Sequence, residues 1–155
     1  MEPTTLIDNY LDGPQLLRKA VAGIPREQLL ARPIPGKWST LEVICHLADF
    51  EIVFADRIKR IIAEHEPTLV SGDENLFAAR LDYHERNAEE ELLLIALIRQ
   101  QIACILRTLK PEDSQRRGIH SELGPMILEV MVERITGHIP HHIRFIEEKK
   151  RALEA

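Results

Sequence analysis

Three histidines fall within five positions in the stretch "HIPHHIRF", residues 138 to 145. His138, His141 and His142 are three of the seven histidines in this 155-residue chain. Imidazole is a common ligand of zinc and related divalent ions, and an i,i+4 pair on a helix presents two ligands side by side. On a helix, His138 and His142 share a stripe with Leu128, Met131, Ile135 and Phe145, so both face the core. His141 is rotated off that stripe, by about 60° from His138 and about 100° from His142. A second inward stripe, Val43, His46, Phe50 and Val53, carries one more histidine. Three imidazoles then point into one apolar interior. As core residues they need several buried partners, and each unmet polar group costs about 1–3 kcal/mol. One shared metal ion satisfies all three rings. The residues favour the metal, with satisfied core histidines as the alternative.

The elements that must position these rings read as four helices. The first runs from about Thr5 to Ala22, with Gly13-Pro14 expected to bend or interrupt it. The second runs from about Ser39 to Glu64. It opens on "WSTLEV", a capping box with Ser39 as N-cap and Glu42 at N3, flanked by a Trp38–Val43 hydrophobic staple. The third starts after the N-cap Asp73 and continues through "ELLLIALIRQQIACIL" to about Leu109. The fourth starts near Pro125 and continues past Phe145. Pro140 lies inside it, where it removes the bond to the Thr136 carbonyl and kinks the helix, at a cost of about 3 kcal/mol without compensation. Strand alternation is almost absent. The expected fold class is all-α: one domain over residues 1–155, a four-helix bundle with connections longer than simple bundles use.

Composition excludes several classes. Hydrophobic residues make up 45% of the chain and charged residues 29%, the balance of a soluble globular domain. No apolar run reaches the roughly 20 residues of a membrane span. The opening "MEPTTLIDNY" does not resemble a secretory signal, so a cytoplasmic location is expected. The net charge is −5 without a basic stripe, which argues against nucleic acid. "ERNAEEE" reads as a solvated acidic face, and "EEKKRALEA" as a frayed helix end. Cys45 and Cys104 read as buried, reduced thiols. There is no nucleophile elbow, no phosphate-cradling glycine loop and no paired Glu-x-x-His motif of a di-iron bundle.

"GKWSTLEVICHLADFE" (36 to 51), followed later by "HIPHHIRFIEE", resembles the DinB/YfiT-like superfamily of metal-binding four-helix bundles. The resemblance covers nearly the whole chain. It implies His46, His138 and His142 as metal ligands, with zinc or nickel as the ion. It implies a bundle of atypical connectivity, often a homodimer, acting on a small molecule. It places His141 at a position that is not usually a ligand. Some members of that superfamily are S-transferases or isomerases that use a low-molecular-weight thiol.

Around such an ion, Asp49 is either a carboxylate orienting a ligand or a helix-surface aspartate. Glu42 is one turn from His46, but its capping role already accounts for it. His120 reads as an exposed loop histidine, and His65 and His84 form no constellation. Three functional readings follow. One is a metal-dependent enzyme of the thiol-transferase or hydrolase kind. The second is a metal-binding interaction module without catalysis. The third is a metal-free bundle.

Overall fold

The computed structural model describes residues 3–155. The first two residues of the acidic opening lie outside them. Four long helices form the frame: α1 (Pro3–Val21), α3 (Thr40–Ala63), α5 (Ala88–Leu106) and α6 (Leu128–Glu154). Both α1 and α3 pack against α5 and α6, so α1–α3 and α5–α6 are the diagonals of the bundle. Each diagonal step needs a crossover, which is why the connections are long. The α1–α3 connection carries the short helix α2 (Arg26–Leu30). The α3–α5 connection carries β1 (Thr68–Leu69) and α4 (Glu74–Arg80), and the α5–α6 connection carries β2 (Arg117–His120) and β3 (Gly124–Ile127). The three short strands make one sheet in the order β1-β2-β3. β1 runs parallel to β2, with Thr68 opposite Ile119, and β2 runs antiparallel to β3, with Gly118 opposite Met126. No helix among the described residues is long and apolar enough to cross a membrane.

The start of α3 is as expected. Glu42 N–H donates to Ser39 Oγ at 3.1 Å, and Ser39 N–H donates to Glu42 Oε2 at 2.7 Å. Four expectations about elements are corrected. Gly13-Pro14 does not interrupt α1, which is continuous through both residues. The expected third helix is broken into α4 and α5, because Asp82 adopts a left-handed conformation (φ 47°) and Asn87 starts a new helix by accepting from Glu89 and Glu90 N–H. Pro125 lies in β3 rather than opening α6, which begins three residues later at Leu128. The C-terminal stretch is helical through Glu154, and Lys149 within it is buried.

The core has two apolar clusters. One contains Leu6, Ile58, Ile102, Met131 and Ile135; the other contains Leu17, Leu47, Ile95, Ile139 and Ile146. Between them sits a fully buried polar layer of Arg99, Glu51 and Tyr10. Arg99 Nε donates to Glu51 Oε1 at 2.7 Å, and Nη2 pairs with the same carboxylate. Nη1 donates to the Tyr10 carbonyl at 2.7 Å, and Nη2 to the Ile135 carbonyl at 2.8 Å. This explains the intact α1. Pro14 has no N–H to offer the carbonyl four residues back, which is that of Tyr10, and Arg99 supplies the donor instead. Gly13 makes room for it, since a Cβ there would lie 2.2 Å from Arg99 Nη1.

Cys45 is buried, and burial pushes its thiol up to about 12, as expected for an inert structural cysteine. Cys104 is exposed on α5, contrary to its expected burial.

Candidate metal centre

His46 comes from the second turn of α3, and His138 and His142 come from one face of α6. The two helices pack together along this region. The ring centroids form a near-equilateral group: His46–His138 4.9 Å, His46–His142 4.7 Å and His138–His142 4.8 Å. One ring nitrogen from each lies within 4.8 Å of the other two. His46 Nε2 and His138 Nε2 are 3.0 Å apart. α6 is a single helix through Pro140, so the proline does not separate the i,i+4 pair. His141 is exposed, with its ring edge-on to His142 and Phe145, off the convergent face as expected.

Burial is the largest cause in lowering all three ring pKa values: His46 to about 4, His138 to about 2 and His142 to about 3. For His138, the neighbouring histidines and Arg99 add positive potential. At neutral pH the cluster therefore presents three uncharged imidazoles. The Nδ1 atoms of His46, His138 and His142 are all buried without a hydrogen-bond partner among the described residues. Whichever nitrogen carries each proton, protein groups leave part of every ring unsatisfied. That is unfavourable for satisfied core histidines, and the close approach of His46 Nε2 to His138 Nε2 at 3.0 Å, with no carboxylate of the described residues between them, suits two nitrogens facing one shared ion. The rings of Trp38 and Phe50 lie 5.1 and 4.7 Å from His46, and Phe145 lies 5.7 Å from His142. These rings flank the cluster, in which His46 is buried and His138 and His142 are half-buried.

The two carboxylates singled out near this site are both committed elsewhere. Asp49 is not a surface aspartate; its charge acts on His46, but its hydrogen bonds go elsewhere. It is buried, accepts from Tyr83 Oη at 2.8 Å, and takes a fork from Arg86 at 2.8 and 3.0 Å. Arg86 also pairs with buried Glu91, so "ERNAEEE" contributes an internal ion cluster rather than only a solvated face. Glu42 closes the capping box and receives a fork from Arg32 at 2.6 and 3.1 Å. His84 stands 3.2 Å from the same carboxylate, so it does belong to a constellation, one that ties the loop before α3 to the segment before α5. His120 is buried on β2, and its Nδ1 accepts from Glu122 and Leu123 N–H, so it is not an exposed loop histidine.

Arg99 and Glu51 escaped sequence reasoning, although a signal was there. Each is a charged residue on an apolar stripe, Arg99 between Ile95 and Ile102, and Glu51 between Leu47 and Ala55. Their clamp reaches Ile135, one turn before His138, and so ties α6 to α3 directly beneath the histidines.

The DinB superfamily sequence profile matches residues 10–146, a span that includes all three histidines. The chain belongs to the DinB superfamily. One DinB relative, from Oceanobacillus iheyensis, is 31% identical over 140 residues, covering 90% of this chain and 81% of its own. Another, YfiT of Bacillus subtilis, is 27% identical over 141 residues, covering 90% and 79%. Both bear provisional names as metal-dependent hydrolases. The solved structure of Bacillus subtilis YfiT, described as a probable metal-dependent hydrolase with an unusual four-helix bundle topology, superposes with a TM-score of 0.92 at 25% identity. The match covers 99% of this chain and 88% of that one. The helical DinB bundle expected from the sequence is thus the fold of this chain, with the small three-stranded sheet added in its connections, and the diagonal α1–α3 and α5–α6 steps depart from a simple up-and-down bundle.

Proposed function

We propose that this protein is a metal-dependent hydrolase in which His46, His138 and His142 hold one divalent ion, zinc or nickel. The observation that carries the reading is the cluster itself: three neutral imidazoles, His46 buried and His138 and His142 half-buried, each with one nitrogen within 4.8 Å of the others. The names of the relatives point the same way. When bound, such an ion keeps its full charge among neutral ligands and supplies Lewis-acid activation of water or of a thiol near neutral pH. The chain's own groups do the rest. Arg99 and Glu51 fix the α3–α6 spacing, Trp38, Phe50 and Phe145 pack against the imidazoles and limit their orientations, and the Asp49–Arg86–Glu91 cluster holds α3 to the start of α5. Thiol transfer, which the resemblance also implies, would use the same ion, with a low-molecular-weight thiol as co-substrate.

The test is metal titration of untagged protein alongside His46→Ala, His138→Ala, His142→Ala and His141→Ala. The first three are expected to lose at least 10–100-fold in affinity, the range already seen on losing a ligand's supporting partner. His141→Ala is expected to retain the ion. Loss in His141→Ala with retention in His142→Ala overturns the assignment. A panel of esters, amides and electrophiles, with and without a small thiol, separates hydrolysis from thiol transfer. Equal turnover by loaded and stripped protein defeats both.

The expected homodimer has a candidate face on α5. Leu93 and Leu97 are 51% and 54% exposed one turn apart on its outer side.

A further inference from the structure

Arg57 lies on the same α3 stripe as His46 and Phe50, three turns further along. It is only 7% exposed. No carboxylate among the described residues lies within ion-pair distance of it. Its neighbours Asp56 and Glu122 act on it only at longer range, and Asp56 is paired with Arg60 at 2.9 Å. Nη2 donates to the Val70 carbonyl at 2.6 Å, and the guanidinium stands 5.3 Å from the Phe54 ring centre, but Nε has no acceptor. A buried guanidinium without a counter-ion is costly, and an anion is its natural complement.

Arg57 lines a groove of about 650 Å³ between α3 and the 68–77 segment. The rim carries exposed apolar side chains: Ile52, Val70 and Leu76 are 48%, 72% and 52% exposed. No histidine lines the groove; aromatic rings link it to the histidine cluster. Phe77 lines it and packs, tilted, 5.6 Å from Phe50, which touches His46, and the Phe54 ring lies against Arg57 and 6.5 Å from the His138 ring. The other charged groups in the groove are already used. Arg60 binds Asp56 and Glu64, and Asp73 caps α4.

We infer that this groove is the substrate subsite of the histidine centre, and that it takes a carboxylate on a short apolar chain, with the carboxylate on Arg57 and the chain against Ile52, Val70 and Leu76. One uncompensated positive charge, with Asp56 and Asp73 beside it, fits a monoanion better than a dianionic phosphate. The catalytic meaning of the subsite rests on the hydrolase reading above, but its occupancy does not.

The test therefore uses full-length protein in EDTA, with hexanoate, hexanol, hexylammonium and inorganic phosphate as probes. Binding is followed by backbone amide NMR shifts of Ser71 and Gly72. Saturable binding of hexanoate is expected, at least tenfold tighter than hexanol, with no response to hexylammonium or phosphate. Arg57→Met is expected to weaken hexanoate at least tenfold, as for loss of a charge-assisted hydrogen bond, and Arg60→Met to leave it within twofold. Equal binding of hexanol and hexanoate by the native protein overturns the inference without recourse to any variant. So does preferential binding of phosphate, or unchanged affinity in Arg57→Met. Failure of metal titration with hexanoate binding intact would count against the hydrolase reading alone.

Discussion

Replacing Gly13 by alanine separates local from tertiary reasoning. Gly13 lies in the interior of α1, where alanine is favoured over glycine by about 1 kcal/mol. On helix propensity alone, Gly13→Ala stabilises. The structure predicts the opposite sign. The new Cβ falls 2.2 Å from Arg99 Nη1, 3.1 Å from its Cζ and 3.2 Å from Ile139 Cδ1. Arg99 cannot swing aside into solvent, because it is fully buried and bonded to Glu51, Tyr10 O and Ile135 O. Displacing it breaks the bond to the Tyr10 carbonyl, which Pro14 leaves without a helical donor, and loosens the pair with Glu51. One hydrogen bond to a charged group contributes about 1.5–3 kcal/mol. With the propensity gain of about 1 kcal/mol set against losses of that size on two bonds, the expected net destabilisation is about 2–5 kcal/mol. For a domain of this size that is a fall of about 4–20 °C in melting temperature. Calorimetry in EDTA measures it free of metal linkage. The decisive control is the Glu51→Gln/Arg99→Met background, where the unbranched thioether leaves space and Gly13→Ala should become neutral or stabilising. A rise in melting temperature in the native background, or an equal fall in both, refutes the argument.

Three further outcomes are expected. Metal-free stability should fall as pH falls below about 6.5, because the unfolded histidines take up protons there while the folded rings resist until about 4, 3 and 2. Above pH 6.5 both states are neutral at these rings and the slope disappears. Urea unfolding at pH 7.5 and 5.5 should show this, and the slope should shrink when the three histidines are replaced by glutamine. Asp49→Ala should destabilise by about 3 kcal/mol, the lower end for breaking a buried ion pair, since Arg86 keeps Glu91. Its saturating metal content should stay unchanged, whereas a ligand-orienting aspartate would lower it. Leu97→Glu should shift sedimentation from dimer to monomer without altering metal content, and a native protein that sediments as a monomer at micromolar concentration rules the dimer out.

The sequence by itself determined the features that depend on helical periodicity. The inward stripes of α3 and α6, the inward placement of His46, His138 and His142 on them, the outward His141 and the Ser39–Glu42 box all follow from spacings of three and four. Tertiary structure decided where those local rules are overridden. Pro14 keeps its helix because an arginine 85 positions away supplies the missing donor, and a glycine that reads as a breaker is the notch that admits it. Asp49, placed by spacing near the metal, goes instead to Tyr83 and Arg86, which a left-handed turn at Asp82 brings to it. Pro125 joins β3 because Arg117–His120 is there to pair with it. Periodicity gives the direction in which a side chain leaves its helix. The partner it meets depends on how distant segments pack, and for a buried charge that partner determines its role.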